Sequence, residues 1–415
     1  MKFQDYRIAE SIKRNIEKEG YKKPTDIQFR SIPAILKGED VLAIAQTGTG
    51  KTAAFAIPII HKIHDAKFTS KTNGVKCLVM APTHELAIQI EKVFFKLCKN
   101  TKVTSMCIYG GVEQAPQIKQ LDKGVDIVVA TPGRMFDLIS QKALDLRQVN
   151  TLILDEADHM LDLGFIKDIE DVIRLIPTRR QTLFFSATID EKIKKLAYSI
   201  VNNAIRIQIS PKDPVAKNIT HAVAYVEMDD KRYFLEELIQ SQPEKKILVF
   251  VRTKVRAERV KSAMERVNII TDTIHSDKTQ QERKATMKSF STGDLKILIA
   301  TDISARGIDI PNVDYVINYD MPETHENYVH RVGRTGRARE KGQAVSFCAK
   351  EERPILEEIE ENLGKPIDRI ELSKAEYGNI IAASEEVSQD WKSVMKLIDE
   401  GDAHHAAKKK KKKKK

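Results

Sequence analysis

Two α/β domains in tandem, each built on a parallel sheet and joined by a short linker, with a basic C-terminal tail, are what this 415-residue chain predicts. Three observations carry that expectation. Short, almost continuously apolar runs alternate with amphipathic stretches, the pattern of strands covered by helices on both faces. The alternation breaks at Ser210-Pro211-Lys212-Asp213-Pro214 and then restarts, so one core gives way to a second. The length also exceeds what a single hydrophobic core organises.

In chain order, the first half offers strands at Val41–Ala45, Cys77–Ala81, Asp126–Ala130, Leu152–Asp155 and Thr182–Ser186, with helices such as Glu85–Cys98 and Ile166–Leu175 between them. The second half offers Ala222–Val226, Ile247–Val251, Ile270–Ile274, Ile297–Thr301, Tyr315–Asn318 and Ala344–Cys348. The expected boundaries are 1–209 for the first domain, 210–218 for the linker, 219–372 for the second domain and 373–415 for the tail. In the tail, Val387, Trp391, Val394 and Ile398 keep helical spacing and Gly401 can end the helix. That face is open to the second domain or to a protein partner.

Composition excludes several classes. Hydrophobic residues make up 41% of the chain, yet no run approaches the roughly 20 apolar residues of a membrane span. The start, Met1-Lys2-Phe3-Gln4-Asp5, lacks the apolar core of a signal peptide. Four scattered cysteines, with no C-x-x-C pair, argue against a zinc site or a disulfide framework. A soluble cytoplasmic protein is expected. The net charge of +10 is largely terminal: without the eight lysines Lys408–Lys415, 61 of the 69 basic residues remain against 59 acidic ones. The tail is a polycation able to touch phosphates without reading sequence, or simply a solvated end.

Polar clusters sit where strands end, the place ligands occupy in parallel sheets. Ala45–Thr52 (AQTGTGKT) fits the phosphate-binding loop G-x-x-x-x-G-K-[ST] at Gly50, Lys51 and Thr52, with Ala45 in place of its first glycine. In such a loop backbone N–H groups cradle phosphates, the lysine reaches the β- and γ-phosphates and the hydroxyl binds Mg²⁺. Asp155-Glu156-Ala157-Asp158 follows the apolar Thr151–Leu154, where an NTPase of this kind holds its metal. A bare acidic tetrapeptide would read as a solvated turn; behind a buried strand it reads as a nucleotide site. Gln28 carries an amide able to pair with adenine, although its surroundings also read as an ordinary turn and helix start. Ser186-Ala187-Thr188 admits two readings: Thr188 with Glu191 forms a capping box for the next helix, or the hydroxyls form a relay near the nucleotide. The second domain adds Thr301–Asp309 and then His330-Arg331-Val332-Gly333-Arg334-Thr335-Gly336-Arg337. Its Arg334 and Arg337 would supply fingers that the first domain lacks, each typically worth about 10³ to 10⁵ in rate.

Taken in order, Gln28, AQTGTGKT, Pro82-Thr83-x-Glu85-Leu86-Ala87, Thr131-Pro132-Gly133-Arg134, DEAD, SAT, ARGID and HRVGRTGR resemble the DEAD-box ATP-dependent RNA helicases across residues 3–350. Met160-Leu161-Asp162-x-Gly164-Phe165 looks most like the bacterial RhlE-like group. The resemblance implies two RecA-like domains on a flexible linker, ATP and Mg²⁺ as cofactors, and single-stranded or short duplex RNA held by its backbone. It implies that Phe3 and Gln28 hold adenine, that Gly48, Gly50, Lys51 and Thr52 take phosphates, and that Asp309 contacts ribose. Thr52 and Asp155 would hold the metal, Glu156 would orient the attacking water, and Arg334 and Arg337 would act as fingers. Asp158, Ser186, Thr188 and His330 would couple nucleotide state to RNA grip. RNA would cross Pro82, Thr83, Gly110, Gly111, Thr131, Gly133, Arg134 and Thr301.

Two positions depart from that pattern. His84 stands where the family has Arg, which predicts RNA affinity more sensitive to pH. Ser276 stands where His-Gly-Asp has glycine, harmless unless the backbone there demands a glycine-only φ. The implied activity is RNA-stimulated ATP hydrolysis with local strand separation by domain closure. The alternatives are an ATP-gated RNA clamp or assembly platform that unwinds little, and a DNA-directed helicase.

Overall fold

The computed structural model describes residues 2–46, 48–69, 74–209, 215, 218–302, 313–336 and 341–383. The linker expected at 210–218 lies almost wholly outside these residues, as do the tail helix at Val387–Ile398 and the lysine run.

The first sheet contains β1 (Val41–Ala45), β2 (Cys77–Met80), β3 (Ser105–Ile108), β4 (Ile127–Ala130), β5 (Thr151–Leu154), β6 (Gln181–Ser186) and β7 (Ile205–Ile209). They lie parallel in the order β3-β4-β2-β5-β6-β1-β7. Successive side chains leave opposite faces of a strand, so a strand buried on both sides must be apolar throughout. β1 does this literally: Val41, Ala43 and Ala45 join one core with Val79, Ile153 and Phe185, while Leu42 and Ile44 join the other with Leu78, Leu152 and Phe184.

The second sheet contains β8 (Ile219–Tyr225), β9 (Ile247–Val251), β10 (Asp272–Ile274), β11 (Ile297–Thr301), β12 (Tyr315–Asn318), β13 (Gly342–Cys348) and β14 (Asp368–Ile370). Its order is β10-β11-β9-β12-β13-β8-β14, again parallel. The seven strands of each sheet fall in separate compact units.

Eleven strands coincide with apolar runs read from sequence, within three residues at either end. β3, β7 and β14 were not expected. All are edge or near-terminal strands with a lighter apolar load: β7 reads IRIQI, and β14 (DRI) is exposed throughout. A strand buried on one face needs only alternate apolar residues, and a three-residue exposed strand needs none. Among the described residues no helix is long and apolar enough to cross a membrane.

Candidate nucleotide and RNA site

The phosphate-binding loop begins where β1 ends. Thr49 Oγ1 donates to the Gln46 carbonyl at 2.7 Å, Gly48 and Gly50 take φ of 81° and 92°, and helix Lys51–Thr69 starts at once. Consecutive N–H groups at a helix start form an anion cradle. Lys51 is buried, its Nζ donating to the Ala45 carbonyl at 2.9 Å. Its charge is thus held at the loop by a neutral partner that a phosphate can replace.

Gln28 is the N3 residue of helix Asp26–Lys37, and its Oε1 accepts the Thr25 N–H at 3.1 Å in a capping box. Its Nε2 donates to the Gly50 carbonyl at 3.1 Å. The amide therefore braces the loop as well as lying beside it. A Cβ on Gly50 would stand 2.5 Å from that Nε2, and with a left-handed φ as well this glycine has two reasons to be glycine. Phe3 is buried, its ring centroid 6.3 Å from those of both Tyr6 and Tyr21.

Asp155 follows β5 and is buried. Burial is the main cause that drives its carboxyl up to about 6; Lys51 opposes the shift and Glu156 adds to it. One Asp155 oxygen accepts the Glu156 N–H at 3.1 Å. A buried carboxylate so reluctant to ionise alone, within reach of the Lys51 charge in the phosphate loop, is a donor suited to a hard divalent cation. Glu156 adopts φ 52°, ψ 52°, left-handed for a residue with a side chain. Such strain marks a position whose side-chain direction is held by its surroundings. His159, one turn on, is buried with Nδ1 3.6 Å from Glu156 Oε2, and neither ring nitrogen has a hydrogen-bond partner. Sequence reading passed over His159, because nothing in a periodic pattern distinguishes it from a core residue.

Asp158 joins this strand end to the next. Its Oδ2 accepts the N–H groups of Ala187 and Thr188, both at 3.0 Å, and the Thr188 hydroxyl at 3.2 Å. The capping box expected from Thr188 and Glu191 is not formed: Asp190 caps helix Glu191–Ile200, accepting the Ile193 N–H at 2.7 Å. The nearer side chain with a formal charge won the cap, and Thr188 was left for the DEAD loop. Ser186 is fully buried with its hydroxyl unpartnered.

On the same edge of the sheet, Thr83 follows the buried Pro82 and caps helix His84–Cys98, accepting the Leu86 N–H at 3.3 Å. A Cβ on Gly110 would lie 3.6 Å from the His84 ring, so the loop after β3, with Gly110 and Gly111, meets the loop after β2. The Thr131 N–H donates to the Ile108 carbonyl at 3.1 Å. Arg134, one residue past Gly133, has Nη2 donating to Val112 O at 2.9 Å, while its Nη1 has no partner. Sequence-distant residues thus share one edge.

In the second unit Thr301 ends β11 and is buried. Arg334 is buried, its Nε donating to the His330 carbonyl at 3.2 Å. Asp309 and Arg337 lie outside the described residues. Arg331, quoted in the motif but given no role, holds the centre: its Nε and Nη2 donate to the two Asp302 oxygens at 2.6 and 2.7 Å, and its Nη1 donates to the Asp320 carbonyl at 2.7 Å. The spacing of Asp302 and Arg331 carried no hint of this pair. Ser276 is absent from the left-handed residues, so the glycine of His-Gly-Asp is not required by the backbone here.

Comparison with known proteins matches the geometry. The DEAD/DEAH box helicase model covers residues 25–196 and the helicase conserved C-terminal domain model covers 230–339. The ATP-dependent RNA helicase CshA of Listeria monocytogenes is 39% identical over 391 residues, 94% of this chain and 74% of that protein. The DEAD-box ATP-dependent RNA helicase RhpA of Helicobacter pylori B128 is 37% identical over 379 residues, 91% and 76%. S. cerevisiae Dbp5 bound to RNA and ADP BeF3 superposes with a TM-score of 0.81 at 30% identity, covering 93% of this chain and 99% of that one. Mss116 bound to ssRNA and UDP-BeF also gives 0.81 at 30%, covering 92% and 82%. With two RecA-like units in tandem, the expected loops on their sheet edges and relatives of this similarity over most of its length, the chain belongs to the DEAD-box ATP-dependent RNA helicases.

Proposed function

We propose that this chain hydrolyses ATP in an RNA-stimulated manner and separates short RNA duplexes locally, by closure of domains spanning 1–209 and 219–372 around a linker at 210–218. One observation carries the reading furthest. Asp155 feels the charge of Lys51 in the phosphate loop and accepts the N–H of Glu156, while Asp158, in the same turn, holds the backbone of Ala187 and Thr188. A change in nucleotide state at the first two is thereby passed to the strand end carrying Ser186.

Lys51 would exchange the Ala45 carbonyl for phosphate oxygens, and Phe3 with Gln28 would hold the base. Glu156 would orient water for in-line attack, with its backbone conformation fixing where the carboxylate points. Mg²⁺ on Thr52 and Asp155 supplies neutralisation of phosphate charge when bound. Asp309, Arg334 and Arg337 would complete the nucleotide site from the second domain. Pro82, Thr83, Gly110, Gly111, Thr131, Gly133, Arg134 and Thr301 would hold RNA by its backbone, which requires small residues and hydroxyls rather than base readers. The tail would tether RNA or a protein partner, and the work would be done in the cytoplasm.

Steady-state ATP hydrolysis with and without single-stranded RNA, in wild type and Glu156→Gln, tests this reading. Strong stimulation lost in the variant supports it. Equal, low turnover in all four conditions removes the enzymatic part. Strand displacement on short duplexes then separates unwinding from clamping, and matched RNA and DNA competitors separate RNA from DNA.

A further inference from the structure

The chain enters β1, β2, β5 and β6 side by side, and these entry points surround a cavity of about 500 Å³ at the edge of the first sheet away from the phosphate loop. Strands of this length at about 3.3 Å per residue put it roughly 15–20 Å from the edge that carries Lys51 and Asp155. Four cationic side chains line it, Lys62, Lys76, Arg179 and Arg180, and among the described residues no carboxylate does.

The hydrogen bonds recorded for these cations go to neutral groups. Lys62 Nζ donates to Gln181 Oε1 at 2.6 Å, Lys76 Nζ to Gln148 Oε1 at 2.5 Å and Arg180 Nη1 to the Pro177 carbonyl at 3.1 Å. Arg180 Nε has no partner. Burial lowers the pKa of Lys62, Lys76 and Arg180, and the carboxylates felt at this distance are engaged elsewhere. Asp40 accepts the Thr182 and Asn202 N–H groups, both at 2.7 Å, and Asp126 pairs with Lys67 at 2.7 Å. The C-terminal end of helix Asp26–Lys37 lies beside Lys62, whose Nζ is 4.0 Å from where a Gly38 Cβ would stand. A helix end offers only about half a negative charge and faces one of the four cations, so it does not account for the cluster.

We propose that this cavity binds a small ligand carrying two or more phosphate groups. Partly desolvated cations without anionic partners are costly to hold together, and charge-assisted hydrogen bonds from a polyphosphate would satisfy them. Ile59 and Ile63 give one wall an apolar surface, and the volume falls within the 300–1,000 Å³ typical of small-ligand sites, so the phosphates have room for an organic group of mononucleotide size. The site is separate from the nucleotide site proposed above and does not depend on it.

The test is calorimetric titration of inorganic tripolyphosphate into the full chain carrying Lys51→Ala, which weakens the phosphate loop as a competing site. The expected result is saturable binding near one equivalent, weakened at least tenfold by adding Lys76→Glu with Arg179→Glu. Arg179 is exposed and Lys76 only half-buried, so neither change should unfold the chain. Lys62→Met, which keeps the buried stem, should weaken binding in the same direction, and with Lys51 intact the charge-reversed chain should keep wild-type ATP turnover. Absence of saturable binding overturns the proposal, as does binding that the three substitutions leave unchanged. A single-stranded RNA oligonucleotide is titrated in parallel. If it alone is weakened by the substitutions while tripolyphosphate fails to bind, the surface serves an RNA strand and the small-ligand proposal falls.

Discussion

Asp155→Asn is expected to stabilise the ligand-free protein while disabling it. Burial lifts the Asp155 carboxyl from 3.8 to about 6, with Lys51 only partly offsetting the effect. A folded value above the unfolded one makes ionisation a cost to the fold. That cost is absent below about pH 4, grows between about pH 4 and 6, and is complete above pH 6. A shift of about two units at 1.36 kcal/mol each amounts to about 3 kcal/mol at pH 7.5. An asparagine strands part of its amide and takes back about 1 kcal/mol, leaving a net gain of about 2 kcal/mol. For a unit of this size that is a rise of roughly 4–8 °C in melting temperature. Differential scanning calorimetry without nucleotide or Mg²⁺ reads it, in the transition that moves when both are added to wild type. At pH 5 half of the wild-type penalty is already relieved, so the gain should shrink to below about 1 kcal/mol. A variant that melts no higher than wild type at pH 7.5, or one whose gain is the same at pH 5, would refute the argument that burial governs this carboxylate.

Four further outcomes can be checked independently. Asp158→Ala leaves the Ala187 and Thr188 N–H groups without their acceptor, at about 1–3 kcal/mol each; hydrogen exchange at those amides should quicken at least tenfold, and unchanged exchange would deny Asp158 its joining role. Gln28→Ala should lower the melting temperature even without nucleotide, because a capping box and a bond to the Gly50 carbonyl are both lost, together about 1–2 kcal/mol. In the second unit, Glu352→Gln leaves the fully buried Lys231, 2.5 Å from Glu352 Oε2, without its closest anion; unfolding should become easier by about 3–5 kcal/mol, and an unchanged denaturation midpoint would contradict it. His84→Arg should flatten the dependence of RNA affinity on pH, and equal affinities for both proteins at pH 6 and pH 8 would remove that idea.

The strand ends and their polar residues were legible from local pattern. A strand buried on both faces must be apolar along its length, so β1, β2, β5 and β6 and the polar residues that follow them stand out in one dimension. An edge strand can escape this rule, as β3, β7 and β14 did, although β10, also at an edge, was read. The motif order then identified the family, because each short motif is weak alone and specific in series.

What no window of sequence held was the partner of each group. Asp158 lies some thirty residues from the backbone it holds, and the cap expected of Thr188 went to Asp190 once the strands were side by side. Asp302 and Arg331 pair because β11 and the helix His325–Val332 converge. The basic cavity exists only because four chain entries meet at one sheet edge. The division is physical: periodic burial and loop chemistry depend on neighbours within a few residues, whereas ion pairing, burial of Asp155 and strain at Glu156 depend on groups that only the folded sheet brings within a few ångströms.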